Sequence, residues 1–82
     1  MRAVIQRVSQ ACVAIGHKET ARISRGLLVF LGVETGDTSV DVRWLAGKIA
    51  RMRIFPDEQD RMNKDIQDIQ GDILVVSQFT LF

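Results

Sequence analysis

The run Gly26-Leu27-Leu28-Val29-Phe30-Leu31-Gly32-Val33 constrains the fold more than any other stretch of the chain. Its length and unbroken apolar character suit a β-strand buried on both faces, and it is too short for a typical globular helix. Burial on both faces is demanding for a chain of 82 residues. A chain of this length hides only roughly 60–65 % of the surface its unfolded form exposes, so a stand-alone fold is marginal. Small domains usually compensate with disulfides, metals or self-association. Cys12 is the only cysteine and His17 the only histidine, which excludes an intramolecular disulfide and leaves too few ligands for a structural zinc site. What remains is association with another copy, or a chain that is part of something larger.

The other elements can be read around that run. Met1 to Val8 is rich in Val and Ile, lacks turn residues and reads as a strand. Ala11 to Ile15 alternates, with Ala11, Val13 and Ile15 on one face and Cys12 and Ala14 on the other. Cys12 is therefore expected to be a small buried hydrophobe rather than a reactive thiol. Gly16-His17-Lys18 makes a turn into a short strand at Thr20 to Ile23. After Glu34-Thr35-Gly36 the period changes, and Val42, Leu45, Ile49 and Met52 form one apolar helical stripe. Thr38 is placed to cap that helix, and Asp41 completes an acidic variant of a capping box. Asp37 and Asp41 lie at the positive end of the helix dipole, Arg51 and Arg53 near the negative end. Gly47 inside the helix costs about 1 kcal/mol relative to Ala, a cost that a closely packed backbone would offset.

Ile54-Phe55-Pro56 reads as a short strand ended by proline, Asp57 to Asp60 as a polar turn, and Met62 to Gln70 as a helical turn mixed with loop. Ile73 to Val76 is strongly β-prone and leads into Ser77-Gln78. The chain then ends on Phe79-Thr80-Leu81-Phe82, apolar and uncapped, and reads as interrupted. With no repeat, linker or low-complexity stretch, residues 1–82 form a single domain.

Eleven basic and ten acidic side chains nearly cancel, so bulk charge gives no support for non-specific nucleic-acid binding. The distribution is uneven: Met1 to Arg53 nets +5 and Ile54 to Phe82 nets −4. The basic half can either meet a polyanion through a few phosphate contacts or form an ordinary mixed surface. No segment approaches the ~20 apolar residues of a membrane span. Arg2 and Arg7 interrupt the N-terminal apolar run, so it does not read as a signal peptide. A cytoplasmic location is the expectation.

Conventional catalytic constellations are thin. His17 lies in a turn, far in sequence from any nucleophile, and reads as a solvent-exposed residue. Nucleophile elbows, Walker loops and dinucleotide fingerprints are absent, and Asp65 and Asp68 lack a metal-binding partner set and read as acidic surface. Ser77-Gln78-Phe79-Thr80 follows a buried strand directly, offering two hydroxyls, an amide and a ring where reacting groups are often displayed. The residues alone leave two readings open, a site or an ordinary strand end.

Val75-Val76-Ser77-Gln78-Phe79-Thr80-Leu81 resembles the signature of the D-aminoacyl-tRNA deacylases, also called D-tyrosyl-tRNA deacylases. Met1 to Val8, Gly26 to Val33, Asp37-Thr38, Lys48-Ile49, Arg53-Ile54-Phe55 and Met62-Asn63 are similar to further blocks of that family, in the same order. The resemblance implies a homodimeric α/β fold in which an antiparallel or mixed sheet wraps like a barrel against helices. It implies hydrolysis of the ester joining a D-amino acid to the 3′-terminal ribose of tRNA, a chiral proofreading step without metal or cofactor. The implied partners are the 3′ end of an aminoacyl-tRNA and a second copy of the chain; neither DNA nor a membrane is implied. Enantiomers carry the same groups, so rejection by a rigid clash discriminates better than attraction to a pocket. In the family that clash comes from a Gly-Pro pair near the C-terminus, and this chain has no such pair, its one proline following Phe55. The chain is therefore expected to be the N-terminal portion of a deacylase, its C-terminal portion absent, and inactive by itself.

By resemblance, Ser77, Gln78, Phe79 and Thr80 line the pocket for the terminal adenosine and the ester. Phe79 and Thr80 are the catalytic candidates, through backbone N–H groups that stabilise the developing oxyanion. Thr80 as a nucleophile lacks a visible base. Gln6 and Arg7 on the first strand are expected to support the signature segment, with an ion pair and direct substrate contact both open for Arg7. Lys48, Arg51 and Arg53 offer either phosphate contacts to the acceptor stem or screened surface charge. The alternative to the enzyme is a non-catalytic assembly module that pairs through exposed strand edges.

Overall fold

In the computed structural model, which describes residues 1–78, the apolar run becomes the middle strand of a three-stranded sheet. The elements in chain order are β1 (Arg2–Val8), β2 (Ala11–Ile15), β3 (Lys18–Ile23), β4 (Gly26–Gly32), α1 (Ser39–Arg51), β5 (Phe55–Pro56), β6 (Met62–Lys64) and β7 (Asp72–Ser77). β4 pairs antiparallel with β1, from Arg2↔Gly32 to Val8↔Gly26. On its other side it pairs parallel with β7, from Gly26↔Asp72 to Leu31↔Ser77. Parallel neighbours need a long crossover, and here α1 with β5 and β6 supplies it. β2 and β3 form a separate hairpin whose second strand comes against β7.

The two faces of β4 are covered unequally. Leu27 and Val29, 0 % and 2 % exposed, join Ile49 of α1, Phe55 of β5 and Ile66 in one core cluster. Burying side chains of this size contributes about 1.5–3 kcal/mol each. Leu28 and Phe30, pointing the other way, are only half-buried. Burial on both faces is thus complete on one face and partial on the other. The sheet is mixed, as the resemblance implies, and packs against one helix. Among the described residues it does not close like a barrel, because β1 and β7 remain its two edges. Three strands supply too little circumference for closure.

α1 starts where the sequence places it. Thr38 donates its backbone N–H to Asp41 Oδ2 at 2.8 Å and its hydroxyl to the same oxygen at 3.1 Å. Just before the cap, the Met1 ammonium lies 2.9 Å from Asp37 Oδ2, which also accepts the Glu34 N–H at 2.7 Å. The Glu34 N–H, then the ammonium, hold the Asp37 carboxyl below the usual carboxylate range. This ties the start of β1 to the start of α1. Of the apolar stripe, Ile49 is buried and Leu45 and Met52 are half-buried, but Val42 is 51 % exposed. It overhangs an apolar channel of about 230 Å³ between α1 and β7, floored by Val29, Leu31, Ile73 and Val75.

Several local expectations differ from the structure, and β3 begins at Lys18 rather than Thr20. Cys12 is exposed, since the outer face of a two-stranded hairpin has nothing to cover it. Gly47 faces no neighbouring backbone; the Arg51 guanidinium lies over it instead. Met62 to Gln70 contains strand β6 before its turn, and Ile66 in that turn reaches the core. Asp65 and Asp68 there accept each other's backbone N–H, at 2.8 and 3.0 Å, which makes them turn-forming residues. No helix among the described residues is long and apolar enough to cross a membrane.

Candidate active site

β7 positions the signature segment. Its β-prone residues pair with the central strand, so the polar residues that follow emerge beside the best-anchored part of the sheet. Ser77 stands opposite Leu31 and is exposed. It is the next residue in the row Ile73, Val75, Ser77, the row that floors the channel beneath α1. Gln78 is half-buried, and its backbone N–H donates to the Leu31 carbonyl at 2.9 Å, extending the ladder one residue past the strand. Phe79 and Thr80, the two catalytic candidates, lie outside the described residues.

Gln6 and Arg7 are elsewhere on the sheet. Arg7 stands opposite Leu27 whereas Ser77 stands opposite Leu31, so about 13 Å of strand separates them along β4. β4 itself also lies between β1 and β7. One protomer therefore does not bring Arg7 to Ser77 and Gln78. The Arg7 guanidinium donates to the Ile54 carbonyl at 2.9 Å and approaches Met62 Sδ at 3.2 Å, so its observed partners are a carbonyl and a thioether rather than a carboxylate. Gln6 is exposed on the opposite face of β1.

The sequence reading passed over Arg25 and Trp44. Arg25 lies 5.5 Å above the Phe55 ring and, with Arg7 and Ser9, borders an open hollow of about 420 Å³. Trp44 is exposed on α1 beneath Lys48, whose Nζ is 5.4 Å from its ring centroid. A helical projection would have found the second, since Trp44, Lys48 and Arg51 fall on one stripe at i, i+4 and i+7. Arg25 had no sequence signal, because only the fold brings it over Phe55. Among the described residues no group of three His, Cys, Asp or Glu side chains is arranged to hold a metal ion.

What this arrangement can do chemically is limited by its residue types. Ser77 offers a hydroxyl and Gln78 an amide, and neither titrates near neutrality. Any acid–base or nucleophilic chemistry at this strand end must draw on backbone groups, on the residues that follow, or on the substrate itself.

Comparison with known proteins covers the whole chain. It is 59 % identical over 81 residues to the D-aminoacyl-tRNA deacylase of Flavobacterium johnsoniae, an alignment spanning 99 % of this chain and 54 % of that protein. It is 54 % identical over 82 residues to the D-aminoacyl-tRNA deacylase of Syntrophobacter fumaroxidans, covering 100 % of this chain and 55 % of the relative. Among solved structures, the c-Myc DNA Unwinding Element Binding Protein superposes with a TM-score of 0.95 at 41 % identity, over all of this chain and 56 % of that one. The chain thus spans about half the length of the curated relatives it matches. The model of the D-Tyr-tRNA(Tyr) deacylase family matches residues 4–82, and the chain belongs to that family.

Proposed function

We propose that the protein represented by this chain hydrolyses the ester bond of D-aminoacyl-tRNA, releasing the free D-amino acid and tRNA. The observation that carries this reading is family membership across residues 4–82, a span that includes the segment emerging from β7. Ser77, Gln78, Phe79 and Thr80 receive the terminal adenosine and the ester. Backbone N–H groups of Phe79 and Thr80 stabilise the oxyanion as water adds to the carbonyl carbon. The substrate's ribose 2′-hydroxyl assists that attack, the bond to the 3′ oxygen breaks, and that oxygen takes up the proton. Such a mechanism suits a chain whose only imidazole lies in the exposed turn at His17.

Gln6 and Arg7 act as positioning residues at a distance, through the β1–β4–β7 ladder. The working form is a cytoplasmic homodimer in which further chain completes the barrel-like sheet and each site. The test is release of amino acid from D- and L-aminoacyl-tRNA by the 82-residue chain and by a chain of the relatives' length. D-selective hydrolysis by the longer chain and none by the shorter is the expected result. Hydrolysis of neither substrate by the longer chain refutes the reading. In that longer chain Thr80→Ala is expected to retain hydrolysis; its complete loss with tRNA binding intact would place the chemistry on the hydroxyl.

A second reading, a non-catalytic assembly module, draws on the exposed apolar residues of the two edge strands: Val4 on β1, Ile73 and Val75 on β7. Exposed apolar edges are templates for pairing. Concentration-dependent self-association without deacylation is its signature.

A further inference from the structure

Trp44, Lys48 and Arg51 stand on one side of α1, about 100° around the helix from the stripe of Leu45, Ile49 and Met52 that faces the sheet. Trp44 is 64 % exposed, an unusual cost for the largest apolar ring in the chain. Lys48 Nζ lies 5.4 Å from the centroid of that ring, and Trp44, Lys48, Arg51 and Met52 line a hollow of about 360 Å³. The ion pairs among the described residues are Met1–Asp37, Arg22–Glu19 and Lys64–Glu58, so neither Lys48 nor Arg51 is neutralised by a carboxylate. Gly47, one turn before Arg51, leaves room for Arg51 to fold back along the helix; a Cβ there would sit 3.0 Å from its Nη1. The helix C-terminus carries a partial charge of about −0.5, which two full positive charges outweigh.

An exposed indole flanked by uncompensated cations matches single-stranded nucleic acid, in which a base stacks on the ring and the neighbouring phosphates meet the cations. Protein interfaces favour tryptophan too, but their cores are depleted in lysine. We propose that this face of α1 binds unpaired nucleotides of the tRNA substrate, with a base on Trp44 and phosphates at Lys48 and Arg51. The inference rests on the deacylase reading for the identity of the RNA and adds a contact outside the Ser77–Thr80 segment.

Trp44 is the only tryptophan, so its fluorescence reports the contact directly. The chain is titrated with deacylated tRNA over a series of salt concentrations. Quenching of Trp44 is expected, with log affinity falling as log salt rises. Lys48→Gln and Arg51→Gln should each reduce that slope by about 0.7. With labelled tRNA as the reporter, Trp44→Ala should weaken binding about 5- to 150-fold, the equivalent of losing one stacked base. All three side chains lie on the outer side of the helix, and far-UV circular dichroism verifies that each variant is folded.

Absence of quenching, or variants that bind as the parent does, overturns the proposal. Equal quenching by a single-stranded DNA of matched sequence overturns the assignment to tRNA. Quenching that follows protein concentration without RNA would assign the face to a second copy and overturn it as well. Because deacylated tRNA is the probe, the outcome is independent of hydrolysis. If a longer chain fails to deacylate while tRNA still quenches Trp44, the catalytic reading falls and this one stands.

Discussion

Gly26→Ala tests how tightly β7 is seated on the central strand. A Cβ built on Gly26 lands on the Asp72 carbonyl oxygen, with the Asp72 carbonyl carbon and amide nitrogen each 2.8 Å away. Carbon atoms pack comfortably at about 3.5–4.0 Å, and the overlap with the carbonyl oxygen is the most severe of the three, so the start of β7 must retreat by more than about one ångström. The obstacle is backbone, which cannot rotate aside as a side chain can. Retreat also strains the bond from the Asp72 N–H to the Arg25 carbonyl, now 3.2 Å. Overpacking costs about 1–3 kcal/mol and a lost hydrogen bond about 1 kcal/mol, so a loss of about 2–4 kcal/mol is expected. For a domain of this size that is roughly 10–30 °C in melting temperature. Urea denaturation followed by Trp44 fluorescence and circular dichroism measures it. Gly16→Ala is the control: at φ +65° with nothing within 4 Å, it should lose only the roughly 1–2 kcal/mol of a left-handed backbone. A loss for Gly26→Ala no larger than the control's would refute the reasoning and show that β7 is loosely held.

Two further predictions follow from local geometry. Gly47→Ala should raise stability by up to about 1 kcal/mol, since its Cβ meets only the movable end of Arg51; a lowered urea midpoint would show that Arg51 cannot give way. The Asp57 carboxylate accepts the N–H groups of Arg61 at 3.0 Å and Gln59 at 2.8 Å, and these hold its carboxyl below the usual range, Arg61 contributing most. With the folded value below the unfolded one, the bonds add stability at neutral pH that is lost as pH falls through the folded value. Asp57→Asn should therefore melt lower than the parent at pH 7, with the gap closing in acid; a gap independent of pH would contradict the assignment.

Local order was legible wherever a short window contained its own cause. The run from Gly26, the cap at Thr38 with Asp41, and the turn at Gly16 each depend on residues that are neighbours in sequence. β2 matches its expected bounds for the same reason. What could not be read locally depends on partners distant in sequence. β6 exists because Phe55 and Lys64 meet across a turn, and Ile66 is core because the fold carries the next turn, after β6, into the cluster that holds Leu27 and Phe55. Cys12 alternates correctly yet faces solvent, since periodicity assigns faces but not what covers them. The candidate site divides along the same line. The strand leading to Ser77 and Gln78 was visible as β-propensity, whereas the separation of Arg7 from Ser77 follows from β4 lying between their strands. Trp44 lies outside the apolar stripe of α1, about 100° around the helix, so the periodicity that marks the buried face does not mark it.

The parallel pairing of β4 with β7 also has a kinetic meaning. Leu27 and Ile73 are register partners separated by more than half the chain, so this contact must close a long loop before it gains anything, whereas the β2–β3 hairpin closes a short one. Hairpin and helix can form early, but β7 can dock only once α1 and the turns around Phe55 have brought it back. Ser77 and Gln78 belong to that last strand. The candidate site is accordingly a late product of folding, and a partly folded chain, however much secondary structure it holds, does not display it. In the native state the same topology makes β7 the strand expected to open first. Its N–H groups at even positions face β4, as those of Asp72 and Gln78 do, so amide exchange at Leu74 and Val76 should report the opening of the site more directly than exchange anywhere in β4.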